Sequence, residues 1–409
     1  MSSDVAELTR LVSAVPDGWR SCKLGEVAVL GGGTTPSRAE EAYWLDAAIP
    51  WATPSDITSL PIGVSSISET ESRVSDRAVA ECSLPLNPPG TVLMTSRATI
   101  GFAAINAVPM TTNQGFITFK TEECLDPAFL LHWLTASRSD LVAAAGGSTF
   151  KELSRGTAKL LPILLPPLDE QRRIAEVLRS VDEAIASTQV TLSFCEDFLI
   201  AQRRETFLHL INEPGETSTA FKDMCDLGRG FAFKSEDYQD AGVLNFRVTN
   251  VGKPVDDLGG QCFLPEAFID TFEEYVLRGD EIVLVMVGAT VGKLGRVPAA
   301  ACPALLNQNM WTLNAKAPFT HDLLWHLAHV LIEAKVHDAQ GGAYSFLTKK
   351  DFLQHRVGRF DHDAMAERVS YLSAIEAHIQ RLAEELRAAI AMKATLSADL
   401  LSGHVRVPA

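Results

Sequence analysis

LDEQRRIAEVLRSVDEAIASTQVTLSFCEDFLIAQRRETFLHLIN, residues 168–212, contains neither proline nor glycine. From Ile174 its seam residues recur at alternating steps of four and three: Leu178, Val181, Ile185, Thr188, Leu192, Cys195 and Leu199. That spacing draws one narrow apolar stripe along an α-helix, as in a coiled coil. A helix of about 40 residues is about 60 Å long. The stripe is written a second time in residues 361–402, also free of proline and glycine. It runs Leu372, Ile375, Ile379, Leu382, Leu386, Ala389, Lys393, Leu396 and Leu400. Adding 194 to Leu178 and to each later seam position through Leu199 gives the second stripe, residue by residue. Two unrelated amphipathic helices would not share one offset.

The offset extends outward from the helices. Asn113-Gln114 recurs as Asn307-Gln308, and Leu130 and His132 recur as Leu324 and His326. Gly146-Gly147 recurs as Gly341-Gly342 one residue out of step, and Gly101 recurs near Gly292. An ordered series of matches at one period marks an internal duplication. The chain therefore reads as α+β, with two mixed-β modules separated by two long helices in a pseudo-two-fold repeat. The segments are 1–165, 166–213, 214–358 and 359–409. Two long seams in one chain pack most simply on each other, and the pseudo-two-fold relation makes them antiparallel. Leu178, Val181, Ile185, Leu192, Leu372, Ile375, Ile379 and Leu386 are the expected seam contacts. Thr188 and Lys393 interrupt the seams, either fixing register or lying near solvent.

Within the modules, Thr91–Thr95, Gly115–Lys120, Glu281–Val287 and Met310–Leu313 read as strands bounded by turns. Pro127–Ala136 and His321–Val330 read as short helices, and a small helix is expected at about Asp4–Ala14. At 409 residues, 46% hydrophobic and 21% charged, the composition is that of a water-soluble chain of two to four folded units. The longest apolar runs, such as Ile282–Val287, suit strands and not a membrane span. Residues 1–20 lack the basic and apolar regions of a secretion leader, so none is expected. Seven dispersed cysteines point to reduced thiols in a cytoplasm and away from a zinc site.

The net charge of −15 argues by itself against a nucleic-acid partner. Its distribution argues differently. No Asp or Glu occurs from Cys82 through Thr121, or from Ile282 through His321, where the chain average would put about five in each. Arg97, Lys120, Lys293, Arg296 and Lys316 remain there. After the first Gly-Gly, Lys151, Arg155 and Lys159 face only Glu152; after the second, Lys349, Lys350 and Arg356 face Asp351. Buried strands exclude acids in any case, which accounts for part of the pattern. Loops carrying Arg, Lys, Asn and Gln suit phosphate and base-edge contacts.

Catalytic motifs are not found. Asn87-Pro88-Pro89-Gly90 lacks the aromatic that an amino-methyltransferase motif carries at its fourth position, and reads as a turn into a strand. Gly288 to Lys293 has the wrong spacing for a phosphate loop, and a Leu follows the lysine. Gly31-Gly32-Gly33 has no accompanying lysine and reads as a turn that touches a phosphate. The ten histidines show no metal-ligand spacing. Glu170 and Asp182 read as solvated helix-face carboxylates or dipole partners.

The run Leu164-Leu165-Pro166-Pro167-Leu168-Asp169-Glu170-Gln171-Arg172-Arg173-Ile174 through Leu178, followed by Val181 to Ile185, resembles the central conserved region of specificity subunits of type I restriction-modification enzymes. Leu24 to Val27, Gly32 to Ser37, Ile49-Pro50-Trp51, Gly90 to Met94, Asn113-Gln114 and Gly146 to Ser148 resemble that family's first target-recognition domain. Leu400 to Val407 resembles its C-terminal conserved region. The resemblance implies a non-catalytic, cytoplasmic subunit in which each module reads one half of a split site in double-stranded DNA. It implies that the helices form an antiparallel spacer and a dock for two methyltransferase subunits, joined by restriction/translocase subunits. S-adenosylmethionine, ATP and magnesium would bind those partners and not this chain. The second helix begins Arg359-Phe360-Asp361-His362-Asp363 without the Pro-Pro and Glu-Gln of the first. The second module opens Leu227-Gly228-Arg229-Gly230-Phe231 without the Thr-Pro-Ser turn.

The candidate DNA contacts are loop residues. In the first module they are Thr35, Ser37, Arg97, Thr99, Asn113, Gln114, Ser148 and Lys151. In the second they are Arg229, Lys234, Asn250, Lys293, Asn307, Gln308, Tyr344 and Lys349. Arg and Lys would hold phosphates or guanine, and Asn and Gln would pair with adenine edges. The repeated Asn-Gln pairs serve equally well as turn caps. A stand-alone adaptor that holds proteins without DNA is the alternative, and an independent methyltransferase is the third reading.

Overall fold

The computed structural model describes residues 15–147, 151–255, 258, 260–339 and 348–407. The helix expected near the N-terminus, Ser148, the Gly341-Gly342 pair and Tyr344 lie outside these residues. The chain divides into two compact units, residues 1–192 with 382–409, and residues 193–381.

In the first unit the strands are β1 (Ala28–Gly32), β2 (Ile49–Ala52), β3 (Ser66–Ile67), β4 (Arg73–Val74), β5 (Val92–Thr95), β6 (Ala103–Asn106), β7 (Thr111–Thr112) and β8 (Phe116–Thr121). They form a five-stranded sheet in the order β1-β8-β5-β6-β3 and a three-stranded sheet in the order β4-β2-β7. All four residues of β5 are buried, as expected of a strand covered on both faces. The turn before it is Asn87-Pro88-Pro89-Gly90, with Gly90 at φ 85°. Asn106 ties this turn down: its Oδ1 accepts from Thr91 N at 2.7 Å, and its Nδ2 donates to the carbonyls of Asn87 and Pro88. The motif is thus a structural turn.

Helix α1 (Pro127–Ala136) begins as the sequence requires. Asp126 caps it, accepting from Ala128 N at 2.9 Å and Phe129 N at 3.2 Å, and proline stands in the first turn. A second short helix, α2 (Arg155–Leu160), is capped by Ser154. Residues Arg20–Lys23 pair antiparallel with Pro162–Leu165, closing the module just before the first long helix, Leu168–Asn212.

The start of that helix packs with the end of the second long helix, His362–Ser402, in one core. Ile174, Leu178, Leu400 and Leu401 join Phe119, Phe129 and Leu130. The Glu-Gln of the conserved-looking run does structural work here. Gln171 accepts from Asp126 N at 2.9 Å and donates to the carbonyls of Cys124 and Pro166. Glu170 is not a solvated carboxylate. It is buried, accepting from Trp19 Nε1 at 3.1 Å and from Arg406 Nε at 2.7 Å. The Arg406 guanidinium holds its carboxyl below the usual carboxylate range. Asp182 is likewise buried, paired with Lys393 and 3.9 Å from His132 Nδ1. Lys393 therefore interrupts its seam to meet a buried acid. Thr188 donates within its own helix, to Ala184 O at 2.9 Å. Glu170–Arg406 and Asp182–Lys393 show the two helix segments running antiparallel. Leu178, Ile185, Leu192 and Leu386 are buried and Val181 is half-buried.

The second unit repeats the plan. Its strands are β9 (Cys225–Arg229), β10 (Val243–Phe246), β11 (Phe263–Leu264), β12 (Val276–Leu277), β13 (Ile282–Val285), β14 (Leu294–Arg296), β15 (Ala304–Leu306) and β16 (Met310–Ala315). The sheets run β9-β16-β13-β14 and β11-β10-β15-β12. Register repeats too. Gly31 stands opposite Thr118, and Gly228 opposite Thr312. Trp51 pairs in parallel with Thr111, and Asn245 with Leu305. Helix α3 (His321–Ala339) outruns its sequence-based end at Val330, because no breaker follows until Gly341. The end of the first long helix and the start of the second meet in this unit's core. Leu199, Phe207 and Leu372 are buried there, with Ile375 and Ile379 packed against them.

Candidate nucleic-acid interface

In the first module, β1 passes directly into the turn Gly33-Thr34-Thr35. The turn is fixed by Thr34 N donating to Thr112 O and by Trp51 Nε1 donating to Thr34 O, at 3.0 and 3.1 Å. A Cβ on Gly33 would overlap the carbonyls of Thr112 and Asn113, so only glycine allows this approach. The turn before β8 is set by Asn113, whose Oδ1 accepts from Gly115 N at 2.8 Å. Across from them, the turn after β5 carries Arg97, with Ala98 at φ 56°. Leu153 N donates to Ser96 O at 3.0 Å, laying residues 152–153 beside that turn.

These pieces enclose a cleft of about 790 Å³ floored by the β1 glycines and lined by Arg97, Gln114, Glu152, Arg155 and Lys159. Arg97 Nε stands 2.9 Å from Glu152 Oε1, both side chains close to half exposed. Thr35 donates to the Gln114 side-chain oxygen.

The sequence-derived candidates thus fall into groups. Arg97 and Gln114 line the cleft, Thr35 reaches its edge through Gln114, and exposed Lys151 adjoins Glu152. Ser37 caps a turn, accepting from Ala39 N at 3.3 Å. Thr99 follows Arg97 but its hydroxyl is buried without a hydrogen-bond partner. Asn113 is the turn cap, while Gln114 is exposed. Arg155 and Lys159 were not among the candidates. Their signal was a four-residue spacing, which puts two cations on one face of a helix.

In the second module, Gly230 repeats the Gly33 role, since a Cβ there would overlap Asn307 O. Asn307 Nδ2 donates to Asn245 Oδ1 at 3.2 Å, and Gln308 is exposed. Arg229, Lys293 and Lys349 are exposed, and Lys234 pairs with Glu236 at 3.0 Å. Asn250 is a correction. It is 1% exposed, accepting from Arg247 N at 2.8 Å and donating to Leu258 O at 2.7 Å. An amide held this way caps a turn and has no face for a base. Among the described residues no cluster of three or more His, Cys, Asp or Glu could hold a metal, and no helix is long and apolar enough to cross a membrane.

Comparison with known proteins bears on this geometry. The family model described as type I restriction modification DNA specificity domain matches residues 16–193. Over those residues the chain is similar to this family. The match covers the first module from residue 16 and the first long helix as far as residue 193. The chain is 38% identical over 176 residues to the MjaIX specificity subunit of Methanocaldococcus jannaschii, covering 42% of this chain and 40% of that protein. It is 28% identical over 170 residues to the EcoR124I/EcoR124II specificity subunit of Escherichia coli, covering 40% of each. The chain thus spans about two fifths of the length of these curated relatives. The fold extends further. The crystal structure of a type I restriction-modification S subunit from M. genitalium matches with a TM-score of 0.59 at 14% identity, over 95% of this chain and 97% of that one. The second unit's likeness to the first is carried by its repeated sheets and register.

Proposed function

We propose that the chain is the non-catalytic, sequence-specific DNA-binding subunit of a type I modification and restriction complex. Each module reads one half of a split site, and partner subunits methylate adenine and restrict the DNA. The observation that carries this reading is the repeated module edge. In both copies a glycine-permitted turn (Gly33, Gly230) lies against an Asn-Gln turn (Asn113-Gln114, Asn307-Gln308). The first copy adds the basic cleft. Exposed amides and guanidinium groups on a rigid sheet edge are the groups that read base edges and hold phosphates.

In this reading two methyltransferase subunits dock on the long helices and restriction/translocase subunits join them, in the cytoplasm. S-adenosylmethionine, ATP and magnesium belong to those partners. The test is to co-express the chain with its methyltransferase partner in a methylation-free host and to map modified adenines. A single bipartite sequence, modified throughout the genome, is the expected result. A purified complex that modifies no split sequence would overturn the reading in favour of the protein-only adaptor.

A further inference from the structure

The cleft of the first module holds two cations to which the reading above gives no individual role, and one acid whose place there is unexplained. We propose that Arg155 and Lys159 hold DNA phosphates, and that Glu152 is an internal stand-in for a phosphate, displaced from Arg97 when DNA enters. The proposal rests on the DNA-recognition reading and deepens it.

Geometry supports the two cations first. Arg155 and Lys159 are four residues apart on α2 and both line the cleft. Their stems lie against glycines. The Cβ position of Gly32 is 3.6 Å from Arg155 Cδ, and that of Gly25 is 3.0 Å from Lys159 Cβ. A larger residue at Gly25 would push the lysine stem away. Stems packed on backbone leave the charged heads in water with fewer rotamers to lose on binding.

Glu152 is held in place by backbone. Glu152 and Gly146 exchange hydrogen bonds at 2.9 and 3.1 Å, and Leu153 N donates to Ser96 O. The carboxylate therefore meets Arg97 by construction. The side chains are 46% and 45% exposed, and exposed ion pairs of this kind are weak. A phosphate offers the guanidinium a bidentate, charge-assisted pair, which is stronger. Exchange of Glu152 for phosphate is downhill once Arg155 and Lys159 have brought the backbone in. Until then Glu152 keeps Arg97 ordered in a chain of net charge −15, and hides it from stray anions.

The experiment uses the full-length chain with its methyltransferase partner, binding duplex DNA across a range of sodium chloride. Arg155→Gln and Lys159→Gln are each expected to lower the slope of log Kd against log salt by about one. Glu152→Gln is expected to tighten binding by about 1.5- to 5-fold, the worth of one exposed ion pair. That gain should vanish in the Arg97→Gln/Glu152→Gln double variant. Thermal melts matched to the parent show that each variant folds. An unchanged slope in both cation variants, or weaker binding by Glu152→Gln, overturns the proposal while the parent complex still binds. If the parent complex binds no duplex at any salt, the DNA reading itself falls and the proposal with it.

Discussion

Asp182 and Glu376, 194 residues apart, are the acids of two equivalent helix junctions, the first buried and the second half-buried. In the first unit Asp182 of the first long helix meets Lys393 of the second and lies 3.9 Å from His132 of α1. In the second unit Glu376 accepts from Arg203 of the first long helix at 2.7 Å. It also accepts from Trp325 Nε1 of α3 at 2.7 Å, and Arg203 Nε donates to His326 Nδ1 at 3.0 Å. His326 and His132 are again 194 apart. Each junction thus joins three helices: one from the globular module and both long ones. A hydrogen-bonded charge group of this kind adds little net stability over an apolar core, yet penalises any slip in register.

Breaking one junction is expected to cost more than replacing it. Asp182→Leu leaves Lys393 and His132 without their acid, and Arg203→Leu leaves the half-buried Glu376 with half its partners. Removing one partner of a buried pair costs about 3–5 kcal/mol. The Asp182→Leu/Lys393→Leu double variant should recover much of that loss, because no uncompensated charge remains. Urea unfolding of the two singles and the double measures the coupling. Additive losses would show that the pair does not act as a unit.

Acid should weaken both units through the same histidines. Burial, more than the neighbouring charges, lowers His132 to about 4 and His326 to about 3. Each is neutral in the folded chain. On unfolding each regains an ordinary pKa near 6.5 and binds a proton below it. The unfolded chain then holds the extra protons, so stability is full above about pH 6.5 and falls as the pH drops towards 4. The limiting loss is about 1.4 kcal/mol per pH unit for each histidine. Urea midpoints at pH 7, 6 and 5 should decline, and a His132→Gln/His326→Gln variant should decline less steeply. An equally steep decline in that variant would place the acid sensitivity elsewhere.

The helices were legible because their seam has a period, set by apolar side chains that share one face of each helix. The polar interruptions were not. Nothing in a single sequence distinguishes a lysine at a seam position near solvent from Lys393, which meets an acid 211 residues earlier. Glu170 and Asp182 were misread for the same reason, since each is neutralised by a partner from the far end of the chain. In the modules, strands and caps followed local rules, as at Asp126-Pro127. The basic cleft did not, because Arg97 and Arg155 are brought together only by residues 152–153 pairing beside the β5 turn. Asn250 looked like a loop amide until Arg247 N–H took up its oxygen and Leu258 O its amide hydrogen.

Gly33 and Gly230 carry a sharp expectation. A methyl group on either would overlap a backbone carbonyl of the facing turn, which cannot move as a side-chain tip can. Forced overpacking of this kind costs about 1–3 kcal/mol. Gly33→Ala should lower stability by that amount and spread the Thr35 turn away from Gln114. Recognition should then degrade at one half-site, with the other half-site still read. Methylation of a library randomised in each half separately tests this, and equal loss in both halves would contradict it.

On the proposed DNA reading, the Asn113-Gln114 pair separates cap from reader. Asn113 gives its oxygen to Gly115 N at 2.8 Å, so Asn113→Ala should destabilise the turn by about 1 kcal/mol, as the loss of one such hydrogen bond does. Gln114 is exposed at the cleft, where its side-chain oxygen accepts from Thr35, so Gln114→Ala should leave unfolding unchanged. What it should change is discrimination. A glutamine set against an adenine edge is worth about 1–3 kcal/mol against the wrong base, a loss of roughly 5- to 150-fold in preference at one position of the half-site. Competition binding with single-base variants of the methylated sequence reads this directly. If Gln114→Ala instead weakened all sequences alike, Gln114 would be a backbone contact and base reading in this module would rest on other residues.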